Sequence, residues 1–150
     1  MAKLVLSNSE LNKFERKVAS LKGNSTVIVA NALNRGAILV HSEAITTVQK
    51  GGRSGEVYKR KKIEHQASAA GEAPKSDTGN LAKNIVLNAA KKKGAQLIAT
   101  VESRASYSRA LEYGTRKMEP RPFMQPSYEK HKARIIEMVT IALRIALKGA

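Results

Sequence analysis

Side chains that could do chemistry are few in this 150-residue sequence, and they are scattered. Twelve residues are acidic, and Asp77 is the single aspartate among them. Phosphoryl-transfer and nuclease sites hold their divalent cations with several carboxylates that lie close together. The glutamates do not cluster along the chain in that way. The acidic residues therefore predict no two-metal site.

Histidine, cysteine and glycine-rich loops give no better candidate. The three histidines, His41, His65 and His131, have no metal-ligand spacing and are expected to be surface or packing residues. Cysteine is absent, which excludes disulfides, thiolate metal ligands and a cysteine nucleophile. The segment Gly51–Gly55 lacks the Lys-Ser/Thr pair that a phosphate-binding loop requires. We therefore predict that the protein is not an enzyme and uses no cofactor.

Positive charge is the chemical feature that the sequence does carry. Lysine and arginine number 27 against 12 acidic residues, a net charge of +15. A field of this sign favours nucleic acid or an acidic protein surface as a neighbour. The densest cluster is Lys59, Arg60, Lys61 and Lys62, a candidate nucleic-acid contact. Without interleaved aromatic residues, such a contact would be electrostatic, independent of sequence and sensitive to salt.

Two helices are predicted in the N-terminal third. Ser7 and Ser9 are candidate N-caps of a short amphipathic helix that Gly23 ends. A second helix is predicted from about Asn24 to Gln49, where Gly51-Gly52 follows. Its wide apolar face suits packing across a sheet.

The amino-acid composition changes between residues 51 and 79, which are rich in glycine and small residues. Short strands are predicted near Val57–Arg60 and Ile63–Gln66, within what is otherwise a long loop. Segments 84–90 and 96–102 then alternate apolar and polar residues, as the two strands of a hairpin do. A second lysine cluster falls at its turn, where lysines are usually only solvated.

Three helical segments complete the pattern. Asp77 or Thr78 is expected to cap a single turn around Leu81. A short helix is predicted from Ser106 to Tyr113, and a last one from Pro126 to about Lys148. The sequence thus predicts one α+β domain over residues 1–150: a small antiparallel sheet packed by two long helices, with 51–79 as an extended loop or arm. The densest apolar stretch is too short to span a membrane.

Two ordered blocks of residues resemble a signature of tailed-phage morphogenesis proteins. The first, "HQASAAGEAPKSDTGNLAKNI", contains AS-x-x-GE-x-P followed by TG-x-L. The second, "YSRALEYGTRKMEPRPFMQPSYEK", contains EYGT, then Arg-Pro-Phe and a proline that opens the last helix. The matching residues are Ala67, Ser68, Gly71, Glu72, Pro74, Thr78, Gly79, Leu81, Tyr107, Glu112, Tyr113, Gly114, Thr115, Met118, Arg121, Pro122, Phe123 and Pro126. Over residues 55–145 the chain resembles the neck or tail-completion proteins of siphophages and prophages, typified by the tenth gene product of a lambdoid coliphage.

The resemblance implies a structural virion protein of the head–tail interface, variously a neck, tail-completion or head–tail connector protein. Such a protein would assemble in the host bacterial cytoplasm as a hexameric or dodecameric ring that joins the DNA-filled capsid connector to the tail. Its partners would be its own copies and other neck, portal-adaptor and tail proteins, with DNA in the channel as a non-specific contact. The alternative is a basic protein that binds DNA independently of sequence.

In that setting the three prolines between residues 120 and 126 would stiffen a surface that neighbouring subunits contact. Tyr113, Pro122, Phe123 and Met124 are the candidate interface residues. Phe123 has a second interpretation, in which it folds back on its own core. The segment 51–79 is likewise either an arm that reaches a neighbour or the DNA, or a disordered insertion.

Two local expectations concern the second block. Glu112 and Arg121 could form an ion pair across the loop, which if exposed would contribute about 0–1 kcal/mol. Gly114 is expected to end its helix with a positive φ.

Overall fold

The computed structural model describes residues 12, 13, 16 and 23–148. The elements are α1 (Asn24–Lys50), β1 (Val57–Arg60), β2 (Ile63–Gln66), α2 (Asn80–Lys83), β3 (Ile85–Lys93), β4 (Gln96–Ser103), α3 (Ser108–Tyr113) and α4 (Met124–Lys148). The strands form two separate two-stranded sheets, β1–β2 and β3–β4. This is the α+β arrangement that the sequence predicts.

Most predicted boundaries lie within two residues of the observed ones. The turn between β3 and β4 is Gly94–Ala95, because β3 continues through the lysines to Lys93. The N-cap of α2 is Gly79, with φ 75°, and not Asp77 or Thr78; Thr78 Oγ1 still accepts a bond from Asn80 N at 3.4 Å. The predicted first helix, which would end at Gly23, lies outside the described residues except for three helical, exposed positions, Asn12, Lys13 and Arg16.

The chain divides into two compact units. Unit 1 comprises Val40–Val86 and Glu102–Lys130. Unit 2 comprises the described residues up to Leu39, the segment Leu87–Val101 and the described residues from His131 onward. Helices α1 and α4 therefore contribute residues to both units.

Unit 2 has an aliphatic core between α1 and α4. Its buried members are Val29, Ala32, Val139, Ala142, Leu143 and Ala146, and Leu97 of β4 packs against them. A Cβ at Gly36 would lie only 3.0 Å from the Cγ2 of Ile135, so this glycine permits close approach of the two helices. Ser25 Oγ donates a hydrogen bond to the carbonyl of Ala146 at 3.1 Å, and Ala90 N donates to Asn34 Oδ1 at 2.6 Å. These bonds join the start of α1 to the end of α4, and β3 to α1.

Unit 1 buries polar as well as apolar side chains. Its buried apolar residues are Val40, Ala44, Val48, Leu81, Ala82, Ile85, Ala105, Phe123 and Met124. Glu112, Ser68, Ser127 and His65 are buried with them. Because buried polar groups are costly without hydrogen-bond partners, the contacts of these four side chains constrain the shape of the unit.

Candidate functional site

The two signature blocks lie in unit 1, and the structure brings them together. The backbone N–H of Gly71 in the first block donates to the carbonyl of Pro120 in the second, at 3.0 Å. Arg121 Nη1 donates to Ser68 Oγ at 3.4 Å. Residues that lie some fifty positions apart in sequence thus form one site.

Glu112 is the buried centre of the second block. Its Oε2 accepts hydrogen bonds from Phe123 N at 2.9 Å and Met124 N at 3.0 Å, and its Oε1 accepts one from Gln125 N at 2.8 Å. These N–H groups lie at the start of α4, where backbone donors have no partner within the helix. A carboxylate there is favoured by its hydrogen bonds and by the positive end of the helix dipole. Glu112 is therefore a remote cap of α4.

This cap overturns the expected ion pair between Glu112 and Arg121. Both carboxylate oxygens are occupied by backbone N–H groups, and the guanidinium contacts Ser68 instead. Arg121 also carries the backbone N–H that donates to Leu111 O at 2.7 Å. It therefore links α3 to the first block and makes no bond to Glu112.

Gly114 begins the proline loop, which we define as Gly114–Phe123. Its φ of 73° and ψ of −179° lie in a region that only glycine occupies readily. A Cβ would lie 2.8 Å from Met118 O and 3.0 Å from Pro120 Cδ. Thr115 and Met118 exchange backbone hydrogen bonds of 2.8 and 3.3 Å, which close the turn. The expected positive φ at Gly114 is confirmed.

The four predicted interface residues lie in different environments. Phe123 is 0% exposed and Met124 is also buried, so Phe123 takes the inward-facing position of its two interpretations. Pro122 is half-buried, and Tyr113 is 56% exposed. The assignment of these residues to a subunit interface stays a prediction, and Tyr113 is the member that offers surface.

A small cavity lies beside Glu112, lined by Ser103, Arg109, Tyr113 and Phe123 among others. Its volume of ≈ 40 Å³ has room for a few water molecules at most, far below that of a typical ligand site. The carboxylate is already engaged by three N–H donors. This arrangement suits the fixing of backbone.

Glu72 holds backbone in place in the first block, as Glu112 does in the second. Ser54 Oγ donates to Glu72 Oε1 at 2.5 Å, and Ala69 N donates to Oε2 at 2.9 Å. These two hydrogen bonds, with a smaller contribution from the charge of Arg121, hold the pKa of Glu72 below its usual value. Glu72 thereby joins the two sides of the segment 51–79, which we call the arm.

Backbone bonds continue this junction toward the end of the arm. Gly52 N donates to Ala73 O at 2.9 Å and Gly55 N donates to Ala67 O at 3.0 Å. Ala67 N returns a bond to Glu56 O at 2.9 Å. The arm is therefore paired from its base to the start of β1.

The arm ends in strands β1 and β2, which we call the basic hairpin (Val57–Gln66). The strands are antiparallel, with Val57 opposite Gln66 and Arg60 opposite Ile63. The predicted nucleic-acid-facing residues all lie here: Lys59 and Arg60 on β1, Lys61 and Lys62 at the turn. The structure thus gathers these four positions at one end of the arm.

In β2, His65 is buried, and its Nδ1 lies 3.3 Å from the Oδ1 of Asp77. The ring of Tyr58 lies 5.1 Å from the His65 ring, centre to centre. Of the two roles expected for this histidine, surface or packing, the structure shows packing.

The sequence did not reveal that Glu112 caps α4 or that Glu72 joins the two sides of the arm. A signal for the first was available, because the first turn of α4 contains no acidic residue of its own. When a helix has no acidic residue in its first turn, a preceding carboxylate is a candidate for a remote cap. The second had a weaker signal, the Gly-Glu pair within a loop of small residues.

Across the described positions, no group of three or more His, Cys, Asp or Glu is placed to hold a metal ion. No helix within residues 23–148 is both long and apolar enough to cross a membrane.

The chain is similar to a family of bacteriophage proteins. The model of the HK97-gp10-like family, described as "Bacteriophage HK97-gp10, putative tail-component", matches residues 12–114. No curated protein and no solved structure gives a significant match. The family match spans more than half of the chain and includes the arm, Glu72, Glu112 and Gly114. The chain therefore belongs to the HK97-gp10-like family of phage tail components, and its role is that of a tail-related phage structural protein.

Proposed function

We propose that this protein is a virion subunit of the phage head–tail interface. In this proposal it assembles as a homo-oligomeric ring, of six or twelve copies, that joins the DNA-filled capsid connector to the tail. Other neck, portal-adaptor and tail proteins are its partners, and assembly takes place in the host bacterial cytoplasm. Its membership of a family of tail components supports this role.

One observation carries the proposal: the residues of the signature hold backbone in place. Glu112 binds three backbone N–H groups of α4, and Glu72 binds the two sides of the arm. Gly71 bonds to the proline loop. A signature used in this way is that of a structural subunit, since an enzyme would direct comparable side chains at a substrate. We therefore propose that the protein has no catalytic activity.

A fixed shape is what ring assembly requires. Each subunit of a ring presents one surface to the next copy and a different surface to the previous one, and the ring closes only when that contact has the correct angle. A surface that is rigid before assembly also costs less free energy to order. The proline loop, fixed at Gly114, Arg121 and Phe123, meets this need.

The exposed face of α3 is the proposed contact surface. Arg109 and Tyr113 lie four residues apart on this helix and are both exposed. Tyrosine and arginine are enriched among the residues that dominate interface energies. Tyr113 follows Glu112 directly, so the remote cap also fixes the position of its backbone.

The proposal is tested in phage particles. The gene is interrupted by a stop codon, and particles from a permissive and a non-permissive host are compared by electron microscopy and mass spectrometry. We expect the protein in complete virions, and unjoined heads and tails in its absence. The proposal fails if the protein is missing from virions, or if joined, infectious particles form without it.

A free DNA-binding protein is the second candidate, favoured by the net charge of +15 and the lysines of the basic hairpin. Such a protein would bind duplex DNA in solution but would be absent from purified particles. The same mass measurement therefore separates the two functions.

A further inference from the structure

The turn of the basic hairpin presents positive charge that no other described group neutralises. Lys61 and Lys62 form the turn between β1 and β2, and both side chains are exposed. Neither has a hydrogen-bond or ion-pair partner among the described side chains. Lys59, by contrast, pairs with Glu64, with 3.2 Å between Nζ and Oε1. The turn therefore offers two cations that are available to a partner.

This turn is held in place by the rest of the arm. Lys61 has a φ of 56°, a left-handed conformation at the point where the chain reverses direction. The backbone bonds between Gly55, Glu56 and Ala67 continue the pairing below the strands, and Glu72 closes the base. A partner that binds the turn therefore meets a preformed ribbon, and little conformational entropy is lost on binding.

The chemistry of the turn favours nucleic acid over protein. Lysine is depleted at protein–protein interfaces, whereas lysine contacts with phosphate supply most of the affinity of non-specific DNA binding. A two-stranded ribbon also fits the major groove, which is about 12 Å wide. A chain with a net charge of +15 would in addition repel its own copies unless an anionic partner were close by.

We propose that the basic hairpin binds the phosphate backbone of double-stranded DNA through Lys61 and Lys62, without reading its sequence. The identification of this DNA as the DNA that passes from head to tail rests on the proposed function. Binding of the hairpin to DNA does not rest on it.

A protein partner would use a different part of the same hairpin. Ile63 is 71% exposed and Val57 is 60% exposed. An apolar contact would bury these side chains, and its affinity would depend on them and change little with salt. Ile63 therefore distinguishes a protein-binding hairpin from a DNA-binding one.

The test uses the purified full-length chain and a fluorescent duplex of random sequence, with anisotropy measured at several NaCl concentrations. The double variant Lys61→Asn, Lys62→Gln removes both charges, and asparagine tolerates the positive φ of position 61. We expect the slope of log K against log[NaCl] to become shallower by about 2. Affinity should fall about tenfold per lysine in 0.1 M salt.

The matched control is Lys91→Gln, Lys92→Gln, which removes the same charge from exposed positions near the end of β3. We expect it to change affinity less than threefold, as a loss of net charge alone would. Equal loss in both double variants would overturn the proposal, and so would an absence of binding in low salt. Loss of DNA binding in Ile63→Ser, with the lysine variant unaffected, would also overturn it.

The same lysine variant introduced into the phage separates this proposal from the proposed function. If the hairpin contacts DNA, joined particles should still form but should retain or deliver DNA less efficiently. Heads and tails could stay unjoined without the protein and yet join in the lysine variant. That result would support the joining role, whatever the hairpin binds.

Discussion

Units 1 and 2 are stabilised by different kinds of contact. Unit 2 has a core of aliphatic side chains from α1 and α4, such as Val29 and Leu143. Among the described residues, unit 2 buries the polar Ser25, whereas unit 1 buries Glu112, His65, Ser68 and Ser127. Glu112 makes three hydrogen bonds to backbone. Aliphatic cores tolerate substitutions that conserve volume, whereas a buried polar network depends on each donor and acceptor. The two signature blocks lie in the unit whose residues are hardest to replace.

The largest expected difference between the units comes from two conservative substitutions. Glu112→Gln replaces a carboxylate oxygen with an NH₂ group that faces backbone donors, so at least one N–H at the start of α4 loses its acceptor. We expect the free energy of unfolding to fall by about 3 kcal/mol. Leu143→Met in unit 2 keeps the volume and should cost less than about 1.5 kcal/mol. Urea denaturation of both variants measures the difference.

Glu119→Gln is the control for the charge change, because Glu119 is exposed in the proline loop. It should leave the free energy of unfolding within about 0.5 kcal/mol of the original. If Glu112→Gln were equally mild, Glu112 would not be the cap that holds α4.

Two glycines give the next largest contrast. Gly114→Ala in unit 1 forces an alanine to a φ of 73° and a ψ of −179°, with its Cβ against Met118 O. We expect a loss of about 2 kcal/mol. Gly94→Ala in unit 2 also meets a positive φ, 61°, but its Cβ has open space. It should cost about 1 kcal/mol.

Thermal and urea unfolding measure both variants under the same conditions. Equal losses for Gly114→Ala and Gly94→Ala would show that Met118 and the proline loop move aside easily. The loop would then lack the rigidity on which the proposed ring contact depends.

The sequence predicted the regular elements well, for a physical reason. The spacing of apolar residues marks α1 and α4, and Gly51-Gly52 marks the end of α1. The strands β1 and β2, VYKR and IEHQ, each begin with a β-branched residue within a segment rich in glycine and small residues. These signals are local, so one chain is sufficient to read them.

The site was harder to predict because its contacts are not local. Glu112 binds N–H groups eleven to thirteen residues further along the chain, and the acceptor could not be identified from spacing. Arg121 was expected to pair with Glu112, yet it bonds to Ser68, 53 residues away. Asp77 was one of the two residues expected to cap α2, yet its carboxylate lies 3.3 Å from the Nδ1 of His65. In each case a tertiary partner replaced a local one.

A smaller effect should appear as a response to pH at the base of the arm. The pKa of Glu72 is lowered in the folded chain, chiefly by its bond from Ser54. Its contribution to stability is therefore present above the unfolded pKa and is lost as the pH falls through the folded one. Amide hydrogen exchange at Ala69 and Gly52 should accelerate in acid beyond the intrinsic change in exchange rate. The amide of Ala90 in unit 2 bonds to uncharged Asn34 and should show no such excess.

Glu72→Gln sharpens this comparison, since a glutamine at that position does not titrate in the relevant range. The variant should exchange faster at Ala69 at neutral pH and show no further excess in acid. Glu56→Gln is the matched control, because Glu56 is exposed beside the same junction. Persistence of the acid response in Glu72→Gln would assign it to another group.

The smallest expected effect on stability is that of Tyr113→Ala, which is nonetheless expected to have a large effect on assembly. Because the side chain is 56% exposed, its removal should change the free energy of unfolding by no more than about 0.5 kcal/mol. If Tyr113 anchors the proposed ring contact, the substitution should weaken subunit association at least tenfold, as loss of an interface hot spot does. Ile141→Ser is the counterpart in unit 2, where a 48% exposed isoleucine lies on α4. Analytical ultracentrifugation across a range of protein concentrations compares the two. Weaker association in Tyr113→Ala alone places the contact on α3, whereas weaker association in Ile141→Ser alone moves it to α4 and removes Tyr113 from the interface.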